Sequence, residues 1–113
     1  CEQLNAIVIS STAGKGIVPD DHPLSLGGAT VRPEVHRIVP TADVVVAIGT
    51  EISETDSFVK RLDIRGKLIR IDLDPRKIND LSPADVGIVC TPHGTDTQAS
   101  NSLTWPNYRK VMR

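Results

Sequence analysis

The sequence predicts an α/β fold, a parallel sheet with helices between its strands, on three observations. Four short aliphatic runs recur along the chain: Ala6–Ile9, Val44–Ile48, Leu68–Leu73 and Val86–Val89. They are rich in β-branched residues, the composition of strands buried on both faces. The segments between them carry helical signals, and strands that alternate with helices build βαβ units. Aromatic residues are only 3% of the chain (Phe58, Trp105 and Tyr108), so the core is built from Ile, Val and Leu.

Each element has a local reason. Val44-Val45-Val46-Ala47-Ile48 has no polar residue and fits a central strand. Leu68-Ile69-Arg70-Ile71-Asp72-Leu73 is more mixed, and Arg70 is expected at a sheet edge or a helix end. Pro33 suits the first turn of a helix, where a missing N–H costs nothing, and Glu34 favours the positive end of the dipole. Val35, Ile38 and Val39 fall at spacings of three and four and make one apolar stripe, which Pro40 limits to a couple of turns. A second helix is expected to start near Thr55 or Asp56, with Phe58, Val59 and Leu62 on its apolar side, and Gly66 ends that region. Pro75–Asp80 is expected to form a short helical turn with Asp74 as its N-cap. From Thr91 to Ser102 almost every residue is small or polar, with Ala99 the only aliphatic one, the composition of a linker or tail.

Composition narrows the function classes. The 113 residues allow one domain. Thirteen Lys and Arg against fourteen Asp and Glu leave a charge of −1, with no basic excess for a nucleic acid. No apolar run reaches the ~18–20 residues that span a bilayer. Two cysteines, Cys1 and Cys90, are too few for a disulfide framework or a cysteine-rich zinc site, and a cytoplasmic location follows as the expectation.

Ligands on parallel sheets bind beyond the carboxyl ends of strands, and polar residues cluster after these runs. Gly14-Lys15-Gly16 lacks the spacing and the hydroxyl of a phosphate loop; beside a plain turn leaving a strand, the favoured reading is a loop whose backbone approaches a ligand or another domain. Asp20-Asp21-His22-Pro23 fits a turn closed by Asp side chains better than a metal site. His36 and His93 fit surface positions. Gly49-Thr50 follows the most apolar run, where glycine lets a ligand approach backbone. Glu51, Glu54 and Asp56 form an acidic cluster, read as a solvated loop, with acid–base hydrolysis as a weaker alternative. Asp72-Leu73-Asp74-Pro75 is the better ligand candidate, because a carboxylate at a strand end accepts hydrogen bonds from a ribose diol. Cys90 after an apolar run fits an inert buried thiol.

These pieces occur in a familiar order. The stretch from Gly14 to Gly27, then Ala42–Thr50, Lys67–Pro75 and Ala84–Val89, resembles the central domain of thiamine-diphosphate-dependent enzymes. That family includes acetolactate synthase, oxalyl-CoA decarboxylase and other 2-oxoacid decarboxylases. The segment Gly49–Asp56 is most similar to that of acetolactate-synthase-like decarboxylases, including those acting on guanidino-2-oxoacids. The resemblance covers residues 1–91, leaving 92–113 as linker or tail.

The resemblance implies a Rossmann-like, three-layer domain that lacks the family's first strand, which lies mid-sheet. Runs one and two are then expected either to pair directly or to be bridged by another chain. It implies a non-catalytic fragment of a larger decarboxylase or synthase, supplying scaffold and subunit contacts in a homo-oligomer. The parent's cofactors would be thiamine diphosphate and magnesium, held by domains other than this one. Some family members place FAD or ADP on the central domain, and the matching positions here are Gly27, Gly28, Gly49, Thr50, Asp72 and Leu73. A self-standing nucleotide-binding module using those residues is the alternative. Two positions depart from the pattern. Glu51-Ile52-Ser53-Glu54 stands where the synthases carry an Arg-Phe-Asp-type segment, and Thr91 stands where the family often has Asp.

Overall fold

A computed structural model describes residues 1–52 and 57–89. Its centre is a three-stranded sheet of β1 (Val44–Ile48), β2 (Lys67–Asp72) and β3 (Val86–Val89), in that spatial order. Both strand pairs are parallel, with Val45 opposite Leu68 and Ile71 opposite Ile88. Three of the four aliphatic runs are therefore strands of one parallel sheet, as the sequence predicts. The middle strand is the most buried, with Leu68, Ile69 and Arg70 all nearly inaccessible.

The helix predicted at Pro33 is α1 (Pro33–Ile38), with proline in its first turn and Glu34 beside it. It passes directly into a 3-10 turn, Val39–Thr41, where Pro40 halts the α-helical ladder. Val35 and Val39 are buried with Ala29, and Ile9, Val45, Leu62 and Ile64 pack against them. Ile38, predicted on the same stripe, turns outward instead. A helix this short presents only its 35/39 edge to the sheet.

Register shows which face is covered. Ala47, Arg70 and Gly87 are partners across the three strands, so they share a face with Val45, two residues before Ala47. The Ala29–Val35–Val39 cluster and the connection between β2 and β3 pack on that face. Ile78 of the connection lies so close over Gly87 that a β-carbon there would meet its Cγ2. The opposite face is aliphatic except for Lys67 at the start of β2: Val44, Val46 and Ile48 from β1, Ile69 and Ile71 from β2, Val86 and Ile88 from β3. Val46, Ile48 and Val86 are exposed on it.

Two predictions need correction. Run one is not a strand of this sheet and does not pair with run two among the described residues. It lies parallel to residues 24–27 through an isolated bridge, with Val8 N–H donating to Leu24 O (2.8 Å) and Leu26 N–H to Val8 O (2.9 Å). Gly27, at φ 60°, ends this pairing after Ser10 N–H donates to its carbonyl. The second correction concerns Phe58, which does not sit on an apolar helix face. It has φ 55° and is 75% exposed, so helical backbone does not run through it. The predicted start of that helix at Thr55 or Asp56 lies outside the described residues, as do Cys90, Thr91, His93 and the tail.

The turn after β2 forms as predicted, in 3-10 rather than α geometry, at Pro75–Lys77. Asp74 is its N-cap and accepts the Arg76 N–H at 2.9 Å.

Candidate functional site at the carboxyl edge of the sheet

Gly49 and Thr50 leave β1 at the same edge at which Asp72 and Leu73 leave β2. Gly49 N–H donates to Ile71 O (2.8 Å), which extends the β1–β2 ladder one step beyond the strand. Gly49 then turns at φ 57°, a conformation glycine adopts without a Cβ penalty. Ile52 N–H donates to the Thr50 hydroxyl (3.3 Å), and Ile52 itself has φ 52°. This edge thus brings together four of the six candidate residues. Gly27 and Gly28 belong elsewhere, beside the first run: Ser10 and Ala29 donate to the Gly27 carbonyl, and the nearest side chains are those of Asp20 and Lys15.

The residue that organises this edge is one that sequence reasoning placed wrongly. Arg70 is neither at a sheet edge nor at a helix end. It sits in the central strand and is 1% exposed, the largest fully buried side chain among the described residues. Its strand partners on that face are the small residues Ala47 and Gly87. Nη2 donates to Thr50 O (2.9 Å), and Nη1 donates to Asp80 O (2.8 Å) and Ser82 O (3.2 Å). A buried cation must be compensated by hydrogen bonds or an opposite charge, and here backbone carbonyls supply the hydrogen bonds. The usable signal was a single Arg inside an aliphatic strand, in register with Ala and Gly.

A second, outer link joins the same two loops. Lys77 Nζ lies 2.8 Å from Glu51 Oε1 and 3.6 Å from Asp80 Oδ2. The hydrogen bond and charge of Glu51, with a smaller contribution from Asp80, raise the Lys77 pKa above its ordinary value. Asp74 grips the Arg76 guanidinium at 2.8 Å, and the side-chain and backbone hydrogen bonds from Arg76 lower the Asp74 pKa to about 2. Asp72 Oδ1 accepts the Asp74 N–H (3.0 Å) in an Asx turn, and Leu73 is exposed.

These residues do not fit a dinucleotide. Asp72 keeps one carboxylate oxygen for a ribose hydroxyl, but a pyrophosphate needs free N–H groups or unpaired cations. Lys77 and Arg76 are bound to Glu51, Asp80 and Asp74, and the Glu51 carboxylate adds a negative charge at this edge.

The remaining sequence motifs are structural. The turn at Asp20–Pro23 is closed by His22 rather than by aspartates. His22 Nδ1 accepts the Leu24 N–H (3.2 Å), which leaves the ring proton on Nε2 to donate to Glu2 Oε1 (3.0 Å). That contact lowers the Glu2 pKa. His36 is half-buried and Nε2 donates to Thr30 O (2.8 Å), so it braces the loop before α1 instead of lying free on the surface. Among the described residues, no group of three His, Cys, Asp or Glu side chains is placed to hold a metal ion. Nor is any helix among them long and apolar enough to cross a membrane.

Known proteins match this chain over nearly all of the described region. The family described as "Thiamine pyrophosphate enzyme, central domain" matches residues 1–98. A probable 2-ketoarginine decarboxylase, AruI of Pseudomonas aeruginosa, is 42% identical over 87 residues, covering 77% of this chain and 16% of that protein. Probable acetolactate synthase large subunits of Methanocaldococcus jannaschii (35% over 85 residues) and Methanococcus aeolicus (33% over 91 residues) cover 73% and 78% of this chain and 14% and 15% of their own lengths. The chain thus spans 14–16% of the length of these relatives. The parallel sheet, the order of its motifs and the match over residues 1–98 together show that this chain belongs to the thiamine pyrophosphate enzyme family, as its central domain.

Proposed function

We propose that the chain is the scaffolding central domain of a thiamine-diphosphate- and magnesium-dependent 2-oxoacid decarboxylase, a lyase that works as a homo-oligomer in the cytoplasm. The observation that carries this reading is the family match over residues 1–98, together with relatives whose names give decarboxylase and acetolactate synthase activities. In this reading the described residues have a scaffolding rather than a catalytic part. The carboxylates at the carboxyl edge are engaged with Lys77, Arg76 and backbone N–H groups, and none is paired with a nucleophile or gathered into a metal site among the described residues. The chemistry would run on thiamine diphosphate held by other domains. The aliphatic face bearing the exposed Val46, Ile48 and Val86 is suited to contacts with those domains or with a second subunit.

For the substrate, the relative named as a 2-ketoarginine decarboxylase, at 42% identity, favours a guanidino-2-oxoacid over pyruvate. The test is turnover by the complete polypeptide that carries this domain. The expected result is release of carbon dioxide from 2-ketoarginine that needs both thiamine diphosphate and magnesium. Acetolactate formation from pyruvate, with no decarboxylation of 2-ketoarginine, would instead assign it to synthase chemistry. Turnover indifferent to thiamine diphosphate would reject the reading.

A further inference from the structure

We infer that Arg70 is a positioning residue that builds the carboxyl edge from within, so that the loops after β1 and β2 take their final shape with no nucleotide bound between them. In a nucleotide-binding sheet, the ligand itself bridges the loops that leave adjacent strands. Here the bridge is part of the chain. One guanidinium face reaches Thr50 O in the loop after β1, and the other nitrogen reaches Asp80 O and Ser82 O in the connection to β3. All three acceptors are backbone carbonyls, so the contact fixes the path of the chain rather than the rotamer of a side chain.

The position is built for this task. Arg70 stands between Ala47 and Gly87 in register across the sheet, under the connection to β3 whose carbonyls it holds. Its 1% exposure means the cation cannot be satisfied by water if the carbonyls move away. The outer Glu51–Lys77 pair joins the same two loops a second time and places a carboxylate outward at the edge. The inner clamp holds the loops together, and the outer pair sets the charge they present. A polyphosphate arriving there meets an anion, and the loops gain nothing from its binding because they are already joined.

The inference uses only this chain's contacts and does not depend on the parent enzyme's substrate. Amide hydrogen exchange on the unaltered chain, without ligand, is the first arm. Gly49, whose amide bonds to Ile71 O where the first loop leaves the sheet, and Ile52 and Ser82, whose amides bond within the two loops, are expected to be protected. Adding ADP or FAD is expected to change neither their rates nor the heat on titration. Saturable nucleotide binding that first brings protection to Gly49 and Ile52 would overturn the inference. In the second arm, Arg70→Met is expected to speed exchange at those three amides by about tenfold or more while leaving Leu26 and Ser10 within about twofold, with Arg70→Lys restoring part of the protection. Equal acceleration at all five amides, or none at the loops, would also overturn it. The first arm decides the matter even where Arg70→Met does not fold.

Discussion

Asp85, just before β3, reaches back to the start of β2 and holds it twice: Oδ1 accepts from Lys67 Nζ at 2.7 Å and Oδ2 from Leu68 N–H at 2.9 Å. This clasp closes the amino edge of the sheet, opposite the edge held by Arg70. The Lys67 hydrogen bond, followed by that from Leu68, lowers the Asp85 pKa, and Asp85 in turn raises that of Lys67.

A pH dependence follows from the signs. A carboxyl group lowered on folding stabilises fully above its unfolded pKa, about 3.9, and the contribution is lost as pH falls through the folded value. A raised lysine stabilises fully below its unfolded value, about 10.4, and loses that as pH rises through the folded one. Asp85→Asn is therefore expected to lower the melting temperature by a few degrees at neutral pH. The deficit should shrink below about pH 4, as the native Asp85 is itself protonated. Calorimetric scans from pH 2 to 8 check this, and a deficit independent of pH would assign Asp85 a purely steric role.

Gly66 allows β2 to begin where it does. A β-carbon there would collide with the carbonyl oxygens of Ala42 and Asp43, and backbone cannot yield as a side-chain tip can. Gly66→Ala is expected to cost about 1–3 kcal/mol in urea unfolding. Gly49→Ala meets no neighbour and should cost only the strain of its positive φ, about 1 kcal/mol.

The core is small, so each buried aliphatic side chain matters. Leu68, 3% exposed in the central strand, is expected to lose about 2–5 kcal/mol on replacement by alanine. Ile48→Ala on the open face, at 69% exposure, should cost under about 1 kcal/mol in the isolated chain. The same substitution in the complete polypeptide is expected to cost more if this face is covered there. Equal losses in both settings would argue that the face stays bare.

Phe58 offers a substitution that should gain stability. An exposed aromatic residue at φ 55° carries backbone strain with no packing to offset it. Phe58→Gly is expected to leave the melting temperature unchanged or raise it. A clear fall would mean that the ring has a packing partner.

The strands and α1 were legible because each rests on local composition: Val44–Ile48 is aliphatic throughout, and Pro33 with Glu34 marks a helix start. Asp74 as an N-cap was legible for the same reason. The first run was misassigned because Ala6–Ile9 has a strand's composition, while the partner it takes is set by tertiary structure. Phe58 was misassigned because the pattern Phe58, Val59, Leu62 fits a helix face, and a positive φ leaves no mark on hydrophobic spacing. Arg70 was missed because its role depends on carbonyls 10, 12 and 20 residues away in sequence. At the candidate site, glycine and aspartate after strands marked residues that do meet at one edge of the sheet, but the ion pairs at that edge bring together residues from separate loops.

The most direct test of the central claim, that this chain folds as the parallel sheet of a thiamine-enzyme central domain, is the pattern of nuclear Overhauser contacts between backbone protons of β1, β2 and β3. The account predicts amide-to-Hα contacts of a parallel ladder, aligning Val46 with Ile69 and Ile69 with Val86. Strong Hα–Hα contacts between these segments, the mark of antiparallel hairpins, or helical amide–amide contacts running through residues 44–48, would contradict it.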